Sequence, residues 1–278
     1  MKRAGIPIIV LMMSLLSVAL VGAAPSAPNA GGSTATLPAY AALGVAQVGG
    51  RDVYVHVWVV PPPGASPSVV AVQALREQGA RPVDPREVRS SRFTTSGLSW
   101  DQFFDLNSSN NYVVQSYNAS GQPVGVDGAA AVAALQATHT TWTNVGTSRF
   151  AFAYGGSTTR CPSLVRECPG RQFYDGRNDV EFLALSGCCT LGVTWYSTSR
   201  DEADMALNTK FPWTTSGGSG YDLQTVLLHE NGHVAGLGHS TVTAAVMYAY
   251  YGGVRRALHP DDICGISNLY PEAGFTGC

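Results

Sequence analysis

Charge is scarce in this chain. Asp, Glu, Lys and Arg make up 13% of its 278 residues, against roughly 25% in an average soluble protein. The net charge is −2, so no broad basic field exists to hold a nucleic acid. Beyond the N-terminus no apolar run approaches the ~20 residues of a spanning helix. No cysteine precedes Cys161, and no C-x-x-C pair occurs, which argues against a cysteine-rich metal cluster. Histidine is rare too, with six in all. No internal repeat is evident.

What is present points to an exported, loop-rich globular protein. Hydrophobic residues make up 45% of the chain, enough for a full core, and 31 glycines with 16 prolines imply many turns. Residues 1–23 read as a signal peptide: Lys2 and Arg3, a mostly apolar stretch, then small residues at Val21-Gly22-Ala23. The expected destination is outside the cell, with no stable membrane span once the signal is removed. Residues 24–38 are small, polar and Pro-rich, as a linker is. The six cysteines (Cys161, Cys168, Cys188, Cys189, Cys264, Cys278) suggest disulfides in an exported chain. A local Cys161–Cys168 loop is the simplest pair. Adjacent Cys188 and Cys189 are not expected to join, because a bridge between neighbours strains the peptide between them.

Residues 39–90 read as a small N-terminal subdomain or pro-segment. Within it, residues 52–60 alternate as a strand does, and residues 67–79 suit a short helix. From residue 91 to 278 the pattern is that of one larger α/β unit. Strands are predicted near 112–117, 150–154, 180–185 and 191–195. Asp127 caps an Ala-rich helix to about residue 142, Asp222 caps a second helix, and Pro260 opens a third.

The second helix carries the most informative stretch, His229-Glu230-Asn231-Gly232-His233-Val234-Ala235-Gly236-Leu237-Gly238-His239. Histidines four apart on a helix lie roughly 40° apart around its axis, so both imidazoles can face one metal. Gly236 can take the left-handed conformation that ends a helix and turns the chain, returning His239 to the same point. Three protein ligands leave a fourth position for water, the mark of a catalytic rather than a structural zinc. Glu230 is rotated off the ligand face and suits a general base beside that position. Imidazole ligands favour zinc over calcium or magnesium. The rival reading is a core helix that happens to contain histidines, but half of the chain's six fall in these eleven residues.

This H-E-x-x-H-x-x-G-x-x-H pattern, with Ser240 after the third histidine and Met247 eight residues beyond it, resembles the matrixin branch of the metzincin peptidases. Residues 202–208, 222–228, 258–266 and Leu269-Tyr270 also resemble matrixin segments. The resemblance implies a twisted mixed sheet with a long helix behind it, the active-site helix beneath a cleft, and a C-terminal helix. It implies a secreted zinc endopeptidase cutting internal bonds of a protein or peptide substrate, with His229, His233 and His239 as ligands, Glu230 as base and Met247 in a Met-turn. It places the substrate pocket at Leu228 and Ala249-Tyr250-Tyr251. The edge strand that pairs with an extended substrate falls at Leu191-Gly192-Val193-Thr194. A monomer is expected. The alternative is a secreted peptide-binding or adhesion protein with a relic site.

Two features depart from the family. His56, His139 and His259 are too scattered to hold the second, structural zinc of vertebrate matrixins. Without a cysteine before Cys161, the cysteine latency device of that family is missing. Asp175, Asp201, Glu202 and Asp204 fit either a Ca2+ site or a solvated loop. His56 shares a strand face with Tyr54 and Trp58. It reads as a packing residue, with reach to the zinc from a pro-segment as the rival. His139 reads as a hydrogen-bonded boundary residue and His259 as a turn residue. Asn107 and Asn118 lie in N-x-S sequons.

Overall fold

The alternation of Val53, Val55, Val57 and Val59 with Tyr54, His56 and Trp58 builds a strand whose two faces meet different partners. The valines pack with Ala71, Ala74 and Leu75 of a short helix, while Trp58 enters the larger core around the active-site helix. The account rests on a computed structural model, described over residues 39–83, 93–95, 99–103, 111–170, 172–199 and 201–278. The proposed signal peptide and linker, residues 84–90 and Asn107 lie outside the described residues.

In chain order the elements are β1 (Tyr40–Val48), β2 (Arg51–Val59), α1 (Pro67–Glu77), β3 (Arg81–Pro82), β4 (Phe93–Thr95), β5 (Val113–Asn118), α2 (Gly128–Thr143), β6 (Phe152–Thr158), β7 (Asn178–Leu183), β8 (Thr190–Ser197), β9 (Ala203–Asn208), β10 (Trp213–Thr214), β11 (Tyr221–Asp222), α3 (Leu223–Ala235), β12 (Leu237–Ser240) and α4 (Pro260–Leu269). Eight strands form one mixed sheet in the order β3-β1-β2-β8-β9-β7-β5-β6. β5, β6, β7 and β9 pair in parallel, whereas β8, β2 and β1 are added antiparallel. This is the α/β, metzincin-type architecture: mixed sheet, active-site helix α3 and C-terminal helix α4.

The helices begin where the sequence signals them. Asp127 caps α2 by accepting from the Ala130 N–H, and Asp222 caps α3 by accepting from the Thr225 N–H, each at 2.9 Å. His259 proves to be the N-cap of α4. His139 is buried and bonded to Gln115 at 2.7 Å, the packing role its position suggested.

Residues 39–83 extend the sheet of the larger unit, with β2 beside β8. Two expectations change. The stretch Leu191–Thr194 is interior rather than an edge, because β2 supplies its second neighbour. Finally, Cys188 and Cys189 do pair with each other, alongside Cys161–Cys168 and Cys264–Cys278. Four cysteines find partners within their own neighbourhoods, leaving these two together at the tight connection between β7 and β8.

Candidate metal centre and catalytic site

Helix α3 is held from outside as much as by its own ladder. The last carbonyls of a helix lack intrahelical donors. Here the Trp100 indole N–H donates to the Val234 carbonyl at 2.8 Å, and the Tyr270 hydroxyl to Ala235 at 2.7 Å. Further up, the Trp142 indole donates to Leu228 at 3.0 Å, and the Asn231 side-chain amide to the Thr138 hydroxyl at 2.8 Å. Gly236 ends the helix at φ 106°, a backbone region that glycine enters without the Cβ penalty. The reversal sends β12, with His239, back along the site.

The three histidines converge. Ring centroids of His229 and His233 lie 4.7 Å apart, of His233 and His239 4.7 Å, and of His229 and His239 5.4 Å. Nδ1 of His229 is 2.8 Å from the Val246 carbonyl, and Nδ1 of His233 is 2.8 Å from the Leu237 carbonyl. A carbonyl can only accept, so each Nδ1 carries the proton and each Nε2 presents its lone pair. Those two Nε2 atoms are 3.0 Å apart. Ligands about 2.0–2.1 Å from one tetrahedral ion sit roughly 3.3 Å from each other, so the His229–His233 pair fits zinc, while His239 has its donor atom within 4.8 Å of those of His233 and His56. Burial lowers the His229 pKa to about 4 and the His239 pKa to about 3. It also holds His233 well below its usual value, with His56, His229 and His239 adding to the effect. All three are therefore neutral near pH 7, the form that ligates.

Glu230 points away from the ligand face toward β8, where its carboxylate accepts from the Thr194 hydroxyl. It is 1% exposed. Burial pushes its pKa up to about 8, with the Thr194 bond pulling the other way. A carboxylate this basic suits proton transfer near neutral pH.

Below the histidines the turn after β12 carries Met247, and one residue fixes it. Asp262, buried in α4, accepts from the Val246 N–H at 2.8 Å, the Met247 N–H at 3.0 Å and the His259 N–H at 2.8 Å. Because the Val246 carbonyl receives His229, Asp262 orients a candidate ligand through two bonds.

The expected pocket residues are present but covered. Leu228 is fully buried in the core, and Tyr251 is 7% exposed. The Ala249 carbonyl accepts from the Ala41 N–H at 2.9 Å, the Tyr251 N–H donates to Ala39 at 3.1 Å, and Tyr250 bridges to Tyr40. Over the histidines lie two rings. His56 stacks on His233 with centroids 3.5 Å apart, and Trp58 stacks on His229 at 4.2 Å. The shared face of Tyr54, His56 and Trp58 was legible; for His56 the preferred reading was packing, and its place against His233 agrees with the rival, reach to the metal site.

Among the described residues, the four acids weighed for calcium bring no three ligand atoms within 4.8 Å of one another. Glu202 accepts from the Asp175 and Gly176 N–H groups and the Ser163 hydroxyl, and Asp204 from the Leu164 and Asp179 N–H groups. Asp201 faces Arg51 across 3.8 Å.

Residues 171–271 match the matrixin family model of the M10 peptidases. The chain is 48% identical over 58 residues to karilysin of Tannerella forsythia, covering 21% of this chain and 12% of that protein. It is 50% identical over 88 residues to the hatching enzyme of Paracentrotus lividus, covering 31% and 15%. It is 45% identical over 60 residues to human matrix metalloproteinase-19, covering 21% and 12%. The chain thus spans less than a sixth of the length of these relatives. Over residues 171–271 the chain is similar to the matrixin-type metallopeptidases.

Proposed function

We propose that this protein is a secreted zinc metalloendopeptidase with His229, His233 and His239 as metal ligands and Glu230 as general base. The observation that supports it most is the joint geometry of the site. Two Nε2 lone pairs are fixed by backbone carbonyls 2.8 Å from each Nδ1, and a buried carboxylate lies one residue off the ligand face.

Zinc, when bound, would lower the pKa of a water molecule and polarise the scissile carbonyl. The chain's own residues do the rest. The carboxylate of Glu230 takes the proton from the attacking water and delivers it to the leaving amine nitrogen. Thr194 holds that carboxylate toward β8, where an extended peptide would pair. Val246 and Leu237 lock the tautomers of His229 and His233, and Asp262 steadies Val246. Met247 forms part of the floor without serving as a ligand. The substrate class is polypeptide, the class implied for a matrixin-type site. Among the described residues no helix is long and apolar enough to cross a membrane. Calcium has no part in this reading.

The test is casein hydrolysis by the full chain, stopped by a chelator and restored by zinc. Bound zinc in a form with an open groove that still cleaves nothing would favour the relic-site alternative.

A further inference from the structure

One disulfide has a buried acid beside it. Cys161 and Cys168 close a loop in the segment between β6 and β7. Their two sulfurs and a carboxylate oxygen of Glu181, on β7, all lie within 4.8 Å of one another. Among the described residues neither of the other two disulfides has such a neighbour. Glu181 is 5% exposed, and its Oε2 has no hydrogen-bond partner. A buried polar atom left unpaired costs stability and calls for a reason, of which redox or proton chemistry is one.

The two sulfurs differ in access. Cys168 is buried in the cluster of Leu164, Val165 and Leu185, whereas Cys161 is only partly buried at its margin. An incoming thiolate therefore meets Cys161, and Cys168 is the sulfur that must leave. A thiolate released in apolar surroundings is disfavoured, so its departure calls for a proton. Burial pushes the Glu181 carboxyl up to about 7; the Asn118 amide pulls the other way, and Asp179 adds to the rise. Asp179 is itself paired with Arg160 through bonds of 2.9 and 2.8 Å. On β5 the titratable neighbour is Tyr117, which Tyr154 of β6 also influences. Near neutral pH Glu181 thus holds a proton in about half of the molecules. The loop does not depend on the disulfide for its place. The Leu164 N–H donates to Asp204 at 2.8 Å, and the Ser163 hydroxyl donates to Glu202 at 2.8 Å. Both thiols of a reduced form would stay beside Glu181.

We propose that Cys161–Cys168 is an exchangeable disulfide served by Glu181 as its proton relay, and that its partner is an external dithiol. The first thiolate of the dithiol attacks Sγ of Cys161 and forms a mixed disulfide. The Cys161–Cys168 bond breaks, its electron pair goes to Cys168, and Cys168 takes the proton of Glu181. The second thiolate of the partner then attacks the partner's own bonded sulfur. Cys161 leaves as a thiolate, and solvent protonates it and restores the proton of Glu181. The chain gains two electrons and two protons, and the partner becomes a disulfide. In reverse, the Glu181 carboxylate takes the proton of Cys168, whose thiolate attacks the mixed disulfide on Cys161. No step involves the metal site, so the proposal stands or falls apart from the metallopeptidase reading.

The experiment treats the full natural chain and Glu181→Gln with dithiothreitol over a series of pH values, then quenches by alkylation and digests. Mass spectrometry of the peptides separates Cys161–Cys168 from the other two disulfides. Each rate is divided by the thiolate fraction of the reagent, so that only the protein's own titration remains. For the natural chain the corrected rate should fall as the pH rises through about 7, because reduction needs Glu181 in its protonated form. Below that pH the variant should react at least about tenfold more slowly, a modest share of what general acid catalysis supplies. Well above it the difference should vanish. A corrected rate that is flat with pH in the natural chain would overturn the proposal, and that profile decides even where the variant fails to fold. Equal rates for the two chains at acid pH would overturn it too. So would a Cys161–Cys168 bond that stays intact after the other two have opened.

Discussion

Gly232, inside the zinc motif, tests how tightly α3 is packed. An added Cβ there would lie 2.2 Å from Met247 Sδ, 3.0 Å from Met247 Cε and 3.0 Å from Trp142 Cζ2. Ordinary carbon contacts are about 3.5–4.0 Å, so the sulfur must retreat by more than about an ångström. A methionine can bend, but Met247 is 2% exposed and its backbone is pinned by Asp262. The tryptophan is less free, because its indole N–H is tied to Leu228. Against this, alanine in a helix is about 1 kcal/mol better than glycine. Overpacking typically costs about 1–3 kcal/mol, and two unyielding neighbours place this site in the upper part of that range. Gly232→Ala should therefore lower stability by about 1–2 kcal/mol in urea titration, with no change in slope. A variant as stable as the natural chain, or more so, would refute the packing argument.

Asp262→Asn keeps the shape but leaves one of three buried N–H groups facing a donor. It should cost about 1–3 kcal/mol and weaken zinc about 10–100-fold by a chelator-competition assay. Unchanged zinc affinity would separate the Met-turn from the ligands. Asp222 carries a pH dependence. Burial by itself raises its pKa, but hydrogen bonds from Arg256 and Thr225 bring the net value below the ordinary one. A carboxylate depressed in the folded state adds stability above its unfolded pKa and loses it as the pH falls through the folded one. Asp222→Asn should thus lose stability at pH 7 and show a flatter decline below about pH 4 in thermal melts. Arg256 is 35% exposed, so the loss at neutral pH should stay near 1–2 kcal/mol rather than the full cost of a stranded buried charge.

The site was legible because helical geometry makes it so. Histidines four apart, Gly236 and a returning His239 admit one arrangement around a metal, and the caps Asp127 and Asp222 and the first-turn Pro260 marked the helices. The strands of β-branched and aromatic residues, β2 and β8 among them, were legible by alternation. β1 was not, because Ala41, Ala42, Gly44 and Ala46 have little intrinsic preference for a strand. It exists because every residue from Tyr40 to Val48 finds a partner on β2. Pairing order is a long-range property, and no local pattern tells that β2 would add to β8 and bury the expected edge at Leu191–Thr194. The same limit applies to Cys188 and Cys189, whose pairing depends on where the other four cysteines end up.

The central claim is that Glu230 acts on water beside a metal it does not bind, while the histidines bind the metal. The direct measurement is zinc content together with casein hydrolysis for Glu230→Gln and His233→Ala, under conditions in which the natural chain cleaves. Glutamine keeps the size and the helix preference of glutamate but cannot take the proton, and loss of a general base costs about 10²–10⁴-fold in rate. The account predicts that Glu230→Gln retains stoichiometric zinc with hydrolysis lost by that factor, whereas His233→Ala loses both. Near-natural hydrolysis by Glu230→Gln, or full zinc in His233→Ala, would contradict it.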